Sequence, residues 1–163
     1  MYQRILVALD QSQQSQQTFQ RALDLAKTNN ACLMLLHVIS PIDEGFPTPI
    51  YPISDGLYPM HNETAIQASR DQFSTTEKLG IELLRSYQSK ATAAGVRSEF
   101  NQTIGDPGAD ICAVVKSWKA DLVVMGRRGR SGFSEFLLGS VSNYVMHHAG
   151  CSVLVVQEAL VTA

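Results

Sequence analysis

The stretch ADLVVMGRRGRSGFSEFLLGS, residues 120–140, decides how the chain is read. Over residues 121–125, Asp121 leads into Leu122, Val123, Val124 and Met125, a short apolar run with the pattern of a strand buried on both faces. Gly126 and Gly129 punctuate the segment after this run, and Gly139-Ser140 stands where a helical pattern over residues 140–148 begins. Comparable runs lie at residues 4–9 (RILVAL), 33–39 (LMLLHVI) and 152–156 (SVLVV), with a weaker alternating run at 97–104. Between them the apolar period becomes helical: Phe19, Ala22, Leu23 and Ala26; Phe73, Gly80, Leu83, Leu84, Tyr87, Ala91 and Ala94; Ile111, Val114, Val115 and Trp118. Strands alternating with helices mean βαβ units. The predicted fold is therefore α/β, an open five-stranded parallel sheet sandwiched by about four helices.

The chain has 163 residues, which predicts one domain over residues 1–163. Apolar residues make up 45% and charged residues 17%, a composition that excludes disorder and fibrous architectures. Thirteen basic against fifteen acidic residues leave a formal charge of -2, so no global field draws the protein to nucleic acid or to an anionic membrane. Any anion site must be local. No apolar run approaches the roughly 20 residues of a membrane helix, and the opening MYQRILVALD carries an acid where a secretory signal stays apolar. The expectation is a soluble cytoplasmic protein with neither nucleic acid nor membrane as partner.

Cys32, Cys112 and Cys151 are widely spaced beside apolar residues, which predicts buried free thiols. Five of the six prolines fall between residues 41 and 59, where neither a helix nor a central strand can run. A Pro-rich insertion loop at about residues 40–62 is expected; a lid, a partner surface and a plain insertion all fit it. The glutamine-rich residues 11–17 read as the polar first turns of the first helix.

In an open parallel sheet, ligands bind beyond the carboxyl ends of the strands where strand order reverses. Asp10 follows the first run, Val38 lies near the end of the second, and Gly126 closes the fourth. The helix start at Gly139-Ser140 offers free N–H groups and a positive dipole end, an anion site. A Walker A loop is excluded because no Gly precedes a Lys, and a Rossmann fingerprint because no Gly-x-Gly occurs. What remains is Gly126, two residues, Gly129, nine residues, then Gly139-Ser140. Asp10 has a second reading, as N-cap of the first helix.

With this spacing, the opening ILVALDxS, a GDP at residues 105–107, ADLVVMG at 120–126 and the closing CSVLVV, the chain resembles the universal stress protein family in its adenine-nucleotide-binding branch. The similarity runs over residues 4–157 and departs only in the Pro-rich loop. The resemblance implies a Rossmann-like universal stress protein fold and a regulatory module of the stress response. It implies ATP or AMP as ligand, with Mg2+ as a companion of ATP. Ala8, Asp10 and Val38 would surround the adenosine, Asp10 accepting from a ribose hydroxyl and the Val38 backbone meeting the adenine edge. Met125 and Gly126 would flank the nucleotide, and Gly129, Gly139, Ser140, Val141 and Ser142 would hold the phosphates. Of Arg127, Arg128 and Arg130, one is expected to contact phosphate; Arg128 is placed in the site, although the sequence alone does not single it out.

Efficient ATP cleavage needs a positioned base, metal-ordering carboxylates and a charge clamp. Asp106 and Glu135, the nearest acids in sequence besides Asp10, form no such constellation. The reading is a binding module without catalytic residues or a resident metal, any hydrolysis being slow and incidental. An ATP-cleaving or adenylyl-transferring enzyme and a nucleotide-independent scaffold are the alternatives. His37 reads as packed within a strand, and His147-His148 as the last turn of the final helix. The apolar run at residues 151–157 is expected to be an edge strand, and many relatives pair through it, so a homodimer is expected.

Overall fold

The structure, a computed structural model, describes residues 1–41, 63–127 and 139–157. Its elements alternate along the chain as β1 (Arg4–Ala8), α1 (Gln14–Asn29), β2 (Cys32–Ile39), α2 (Glu63–Ala93) and β3 (Ser98–Ile104), continuing with α3 (Pro107–Trp118), β4 (Leu122–Gly126), α4 (Ser140–His148) and β5 (Ser152–Val156). The strands form one sheet in the order β3-β2-β1-β4-β5, and every pairing is parallel. The five-stranded α/β architecture read from the sequence is the one observed. Most of the Pro-rich loop, residues 42–62, lies outside the described residues.

Side chains alternate across a strand, so the apolar runs feed two cores. Ile5, Val7, Leu33, Leu35 and Val124 meet Phe19, Leu23 and Ala26 of α1 and Leu84, Tyr87 and Ala91 of α2. Leu6, Met34, Leu36, Val123 and Met125 meet Ile111, Val114 and Val115 of α3 and Val145 of α4. Burying Phe19 and Leu23 on α1 contributes roughly 1.5–3 kcal/mol apiece. Helix ends follow local chemistry. Asp106 caps α3 by accepting from the Ala109 N–H at 2.8 Å, with Pro107 in the first turn. Asn30 ends α1 in the left-handed region at φ 53°.

One close approach depends on glycine. Gly80 brings α2 down onto the pair formed by His37 of β2 and Gln102 of β3, whose Nδ1 and Oε1 atoms are 3.0 Å apart. His37 is 4% exposed, as its place in a strand pattern predicts. Gln102 also donates to the Glu77 carbonyl on α2 at 3.1 Å. The three cysteines are free, but half-buried rather than fully buried as expected. Their runs end at strand starts or on an outward-turning helix flank, where covering is incomplete.

Candidate functional site

Strand order reverses at β1, which has β2 on one side and β4 on the other, so a crevice opens beyond its carboxyl end. Asp10 stands at that point. Its Oδ1 accepts from the Ser12 N–H at 2.9 Å, from the Ser12 hydroxyl, and from the Ser15 hydroxyl at 2.7 Å, while its own N–H donates to Ser15 Oγ at 2.8 Å. Among the described residues Oδ2 has no hydrogen-bond partner. The carboxylate is therefore fixed by one oxygen and presents the other. The N-cap of α1 is Gln13, so Asp10 orders the turn ahead of the helix without occupying the cap position.

Val38 acquires its role from register. The Leu36 carbonyl accepts from Leu9 N–H at 2.8 Å, whereas Leu33 N–H and the Ile39 carbonyl bond toward β3 through Arg97 and Gly105. Even-numbered residues of β2 thus turn their peptide groups toward β1, and odd-numbered ones toward β3. β1 ends at Ala8, so the N–H and C=O of Val38 face the gap beyond it, with no ladder partner from β1. Ala8 and Val38 are half-buried at the rim, and Met125 is buried beneath it. Thr103, the register partner of Val38, holds a buried hydroxyl with no partner among the described residues.

Across the crevice, Gly126 lies against Gln14 of α1: a Cβ there would sit 3.1 Å from Gln14 Oε1. Gln14 Nε2 donates to the Val156 carbonyl at 3.1 Å, tying α1 to β5. The Arg127 carbonyl accepts from Gly139 N–H at 3.2 Å and from the Ser142 hydroxyl at 3.3 Å, which anchors the start of α4 to the end of β4. Ser142 Oγ also donates to the Gly139 carbonyl at 2.9 Å. The Gly139 N–H and the Ser142 hydroxyl are thus engaged within the protein. The amides of Ser140, Val141 and Ser142 have no acceptor inside α4, and among the described residues no side chain caps that end. Amides left free at a helix start are donors of the kind that suit an anion.

Asp10, Ala8, Val38, Met125, Gly126, Gly139, Ser140, Val141 and Ser142 therefore gather at the carboxyl side of the sheet. Arg128 and Gly129, and with them Arg130, lie outside the described residues. Ser12 closes the opening ILVALDxS motif, which assigns it no role, and Gln14 and Ser15 escape a motif reading because they lie in a low-complexity tract. Among the described residues, no group of three or more His, Cys, Asp or Glu side chains is arranged to hold a metal, and no helix is long and apolar enough to cross a membrane.

The profile of the Universal stress protein family matches residues 1–157. Universal stress protein Sll1388 of Synechocystis sp. is 38% identical over 160 residues, covering 96% of this chain and 99% of its own. Universal stress protein YxiE of Bacillus subtilis is 33% identical, covering 96% and 100%. Universal stress protein UspA from Lactobacillus plantarum has a similar structure, with a TM-score of 0.70 at 23% identity over 95% of this chain and 97% of that one. A universal stress protein in complex with cAMP scores 0.65 at 24% identity, covering 97% and 99%. An Arabidopsis thaliana family protein with AMP bound scores 0.62 at 22% identity, covering 97% and 93%. The solved structures share the fold, and the match of profile and relatives across nearly the whole sequence carries the further step: this chain belongs to the universal stress protein family.

Proposed function

We propose that the chain binds an adenine nucleotide, ATP or AMP, in the crevice beyond β1 and acts as a regulatory binding module of the stress response. The observation that carries this reading is the pairing of Val38 peptide groups left without a ladder partner with an Asp10 oxygen left without a donor, both at the same gap. The peptide groups suit the donor and acceptor edge of adenine, and the carboxylate suits a ribose hydroxyl. The amides of Ser140, Val141 and Ser142 receive phosphate, while Ala8, Met125 and Gly126 flank the nucleoside. Arg128 and Gly129 join the phosphates by their place in the motif, and Mg2+ accompanies ATP through phosphate oxygens. The AMP and cAMP held by two relatives of the same fold support the ligand class.

A binding role is favoured over catalysis because Asp106, the acid nearest the crevice in sequence among the described residues besides Asp10, is committed to capping α3. The protein also pairs with a second copy through β5. Ser152 N–H and the Val156 carbonyl bond toward β4, so Val153 and Val155 direct their peptide groups to the open edge. Calorimetric titration with AMP, ATP and cAMP tests the ligand. Saturable binding of adenine nucleotides, far stronger than that of inorganic triphosphate, is expected. Equal affinity for triphosphate alone, or no heat with any of them, rejects the reading.

A further inference from the structure

The end of the sheet opposite the crevice holds an open, solvent-facing cavity of about 610 Å3, lined mostly by exposed side chains and within the size range of small-molecule sites. Its floor is set by register. Arg4 pairs with Cys32, and Arg97 immediately precedes Ser98, the partner of Leu33, to whose N–H it offers its carbonyl at 2.9 Å. Arg4, Cys32 and Arg97 therefore stand side by side at the amino ends of β1, β2 and β3. By alternation they share the face that α3 covers. Strands lie roughly 4.8 Å apart, so the two guanidinium groups rise from backbones about 10 Å apart with the thiol between them.

Two carboxylates near this pair are already engaged: Asp121 accepts from the backbone N–H groups of Gln3 and Arg4 at 2.7 and 3.1 Å, and Glu99 lines the cavity. Glu99 accepts from the Trp118 indole N–H at 2.7 Å. The Arg4 guanidinium lies 4.3 Å from the centroid of the Trp118 ring, a cation–π contact that fixes its orientation. Among the described residues neither Arg4 nor Arg97 forms an ion pair. Two like charges across a narrow stretch of sheet repel, and an anion placed between them removes that repulsion. The walls are aromatic on one side, at Trp118, and polar on the other, at Asn30.

We propose that this cavity is a second ligand site, distinct from the nucleotide crevice, that takes a small aromatic monocarboxylate. The carboxylate lies between Arg4 and Arg97, where a planar guanidinium can offer two parallel N–H donors. The ring of the ligand packs beside the Trp118–Arg4 stack. One negative charge suits the site, since among the side chains lining it the two arginines outnumber the carboxylate of Glu99 by one, and that of Asp121 is spent on the backbone N–H groups of Gln3 and Arg4.

Trp118 is the chain's one tryptophan, so its fluorescence reports on this cavity alone. Titration with benzoate is expected to change the emission saturably, and neutral benzamide to bind at least about tenfold more weakly, the discrimination of a charge-assisted contact. Arg97→Gln, at an exposed position that makes no hydrogen bond or cation–π contact with the Trp118 ring, should weaken benzoate at least about tenfold while leaving the unliganded emission and melting temperature unchanged. A second measurement is alkylation of Cys32 in a Cys112→Ser, Cys151→Ser background, which bound benzoate should slow. The proposal is overturned by a linear, unsaturable response, by equal binding of benzamide, by an Arg97→Gln protein that binds benzoate like the parent, or by alkylation indifferent to benzoate.

Discussion

Replacing Gly80 with alanine measures how closely α2 lies on the sheet. A Cβ at this position would stand 2.0 Å from Gln102 Oε1 and 2.6 Å from His37 Nδ1, distances that real Cβ contacts do not reach. The end of Gln102 can swing away, but only by breaking its 3.0 Å bond to His37. The His37 ring, 4% exposed, has nowhere to go, so the helix itself must shift. Overpacking costs about 1–3 kcal/mol. A buried ring nitrogen left without a partner costs about 1–3 kcal/mol more. Alanine returns about 1 kcal/mol of helix propensity. The net loss is about 3 kcal/mol, and at roughly 2–4 °C per kcal/mol for a chain of this size the melting temperature falls by roughly 6–12 °C. Thermal and urea unfolding followed by circular dichroism reads this directly. Gln102→Ala vacates the space, so the same alanine should cost less in that background, a coupling of about 0.5–3 kcal/mol in a double-mutant cycle. A Gly80→Ala protein as stable as the parent, or more stable, would refute the close approach.

Asp10→Asn keeps an acceptor for Ser12 and Ser15 but replaces the free carboxylate oxygen, and it should weaken AMP by about 1.5–3 kcal/mol in calorimetry. Unchanged affinity removes Asp10 from the ribose. Gly139→Val places a β-branched side chain at the start of α4 and should abolish nucleotide binding with the far-ultraviolet spectrum retained; normal binding would assign the glycine to packing. Val155→Pro deletes an N–H on the open edge of β5, leaving the bonds to β4 intact, and should convert a dimer to a monomer in sedimentation. A parent protein that sediments as a monomer at every concentration rejects the pairing. Burial holds the thiols of Cys32, Cys112 and Cys151 and the Tyr87 phenol above their ordinary values, with nearby Glu99, Asp121 and Asp10 adding to the shifts of Cys32, Cys151 and Tyr87 respectively. Folding favours their neutral forms, so this contribution to stability is complete below the ordinary thiol value of 9.0 and is lost as pH rises through it toward the raised values. The urea midpoint should fall between about pH 8 and about pH 10; a midpoint that rises over this window contradicts the direction.

The sheet is legible because both faces of its central strands are buried, which leaves runs such as residues 33–39 almost wholly apolar. Strand ends agree within a residue or so, and residues 152–156 and 140–148 coincide with β5 and α4. The edge strand β3 is weaker in sequence because one of its faces is open, as the exposed Glu99 and Asn101 show. Contacts between distant segments are another matter. Gly80 reads as one more small residue on a helical stripe, and nothing local announces that His37 and Gln102 lie beneath it. The site divides in the same way: a glycine spacing marks the helix start, whereas the freedom of the Val38 peptide groups depends on β1 stopping at Ala8 while β2 continues to Ile39. The alignment of Arg4 with Cys32 and Arg97 likewise arises only from register between three separate segments.

The hydrogen bond from Gly139 N–H to the Arg127 carbonyl closes the chain on itself at the base of residues 128–138. A closed loop is tolerant of length, since each doubling adds only about 0.6 kcal/mol of closure entropy. Insertions and deletions in that stretch would therefore leave β4, α4 and their junction in place. Loop closure by itself would then set little limit on how many residues separate Gly129 from Gly139. On the proposed function, a spacing of nine that fits the family motif would then answer to something outside the fold, the span of the nucleotide that the two glycines would have to reach together.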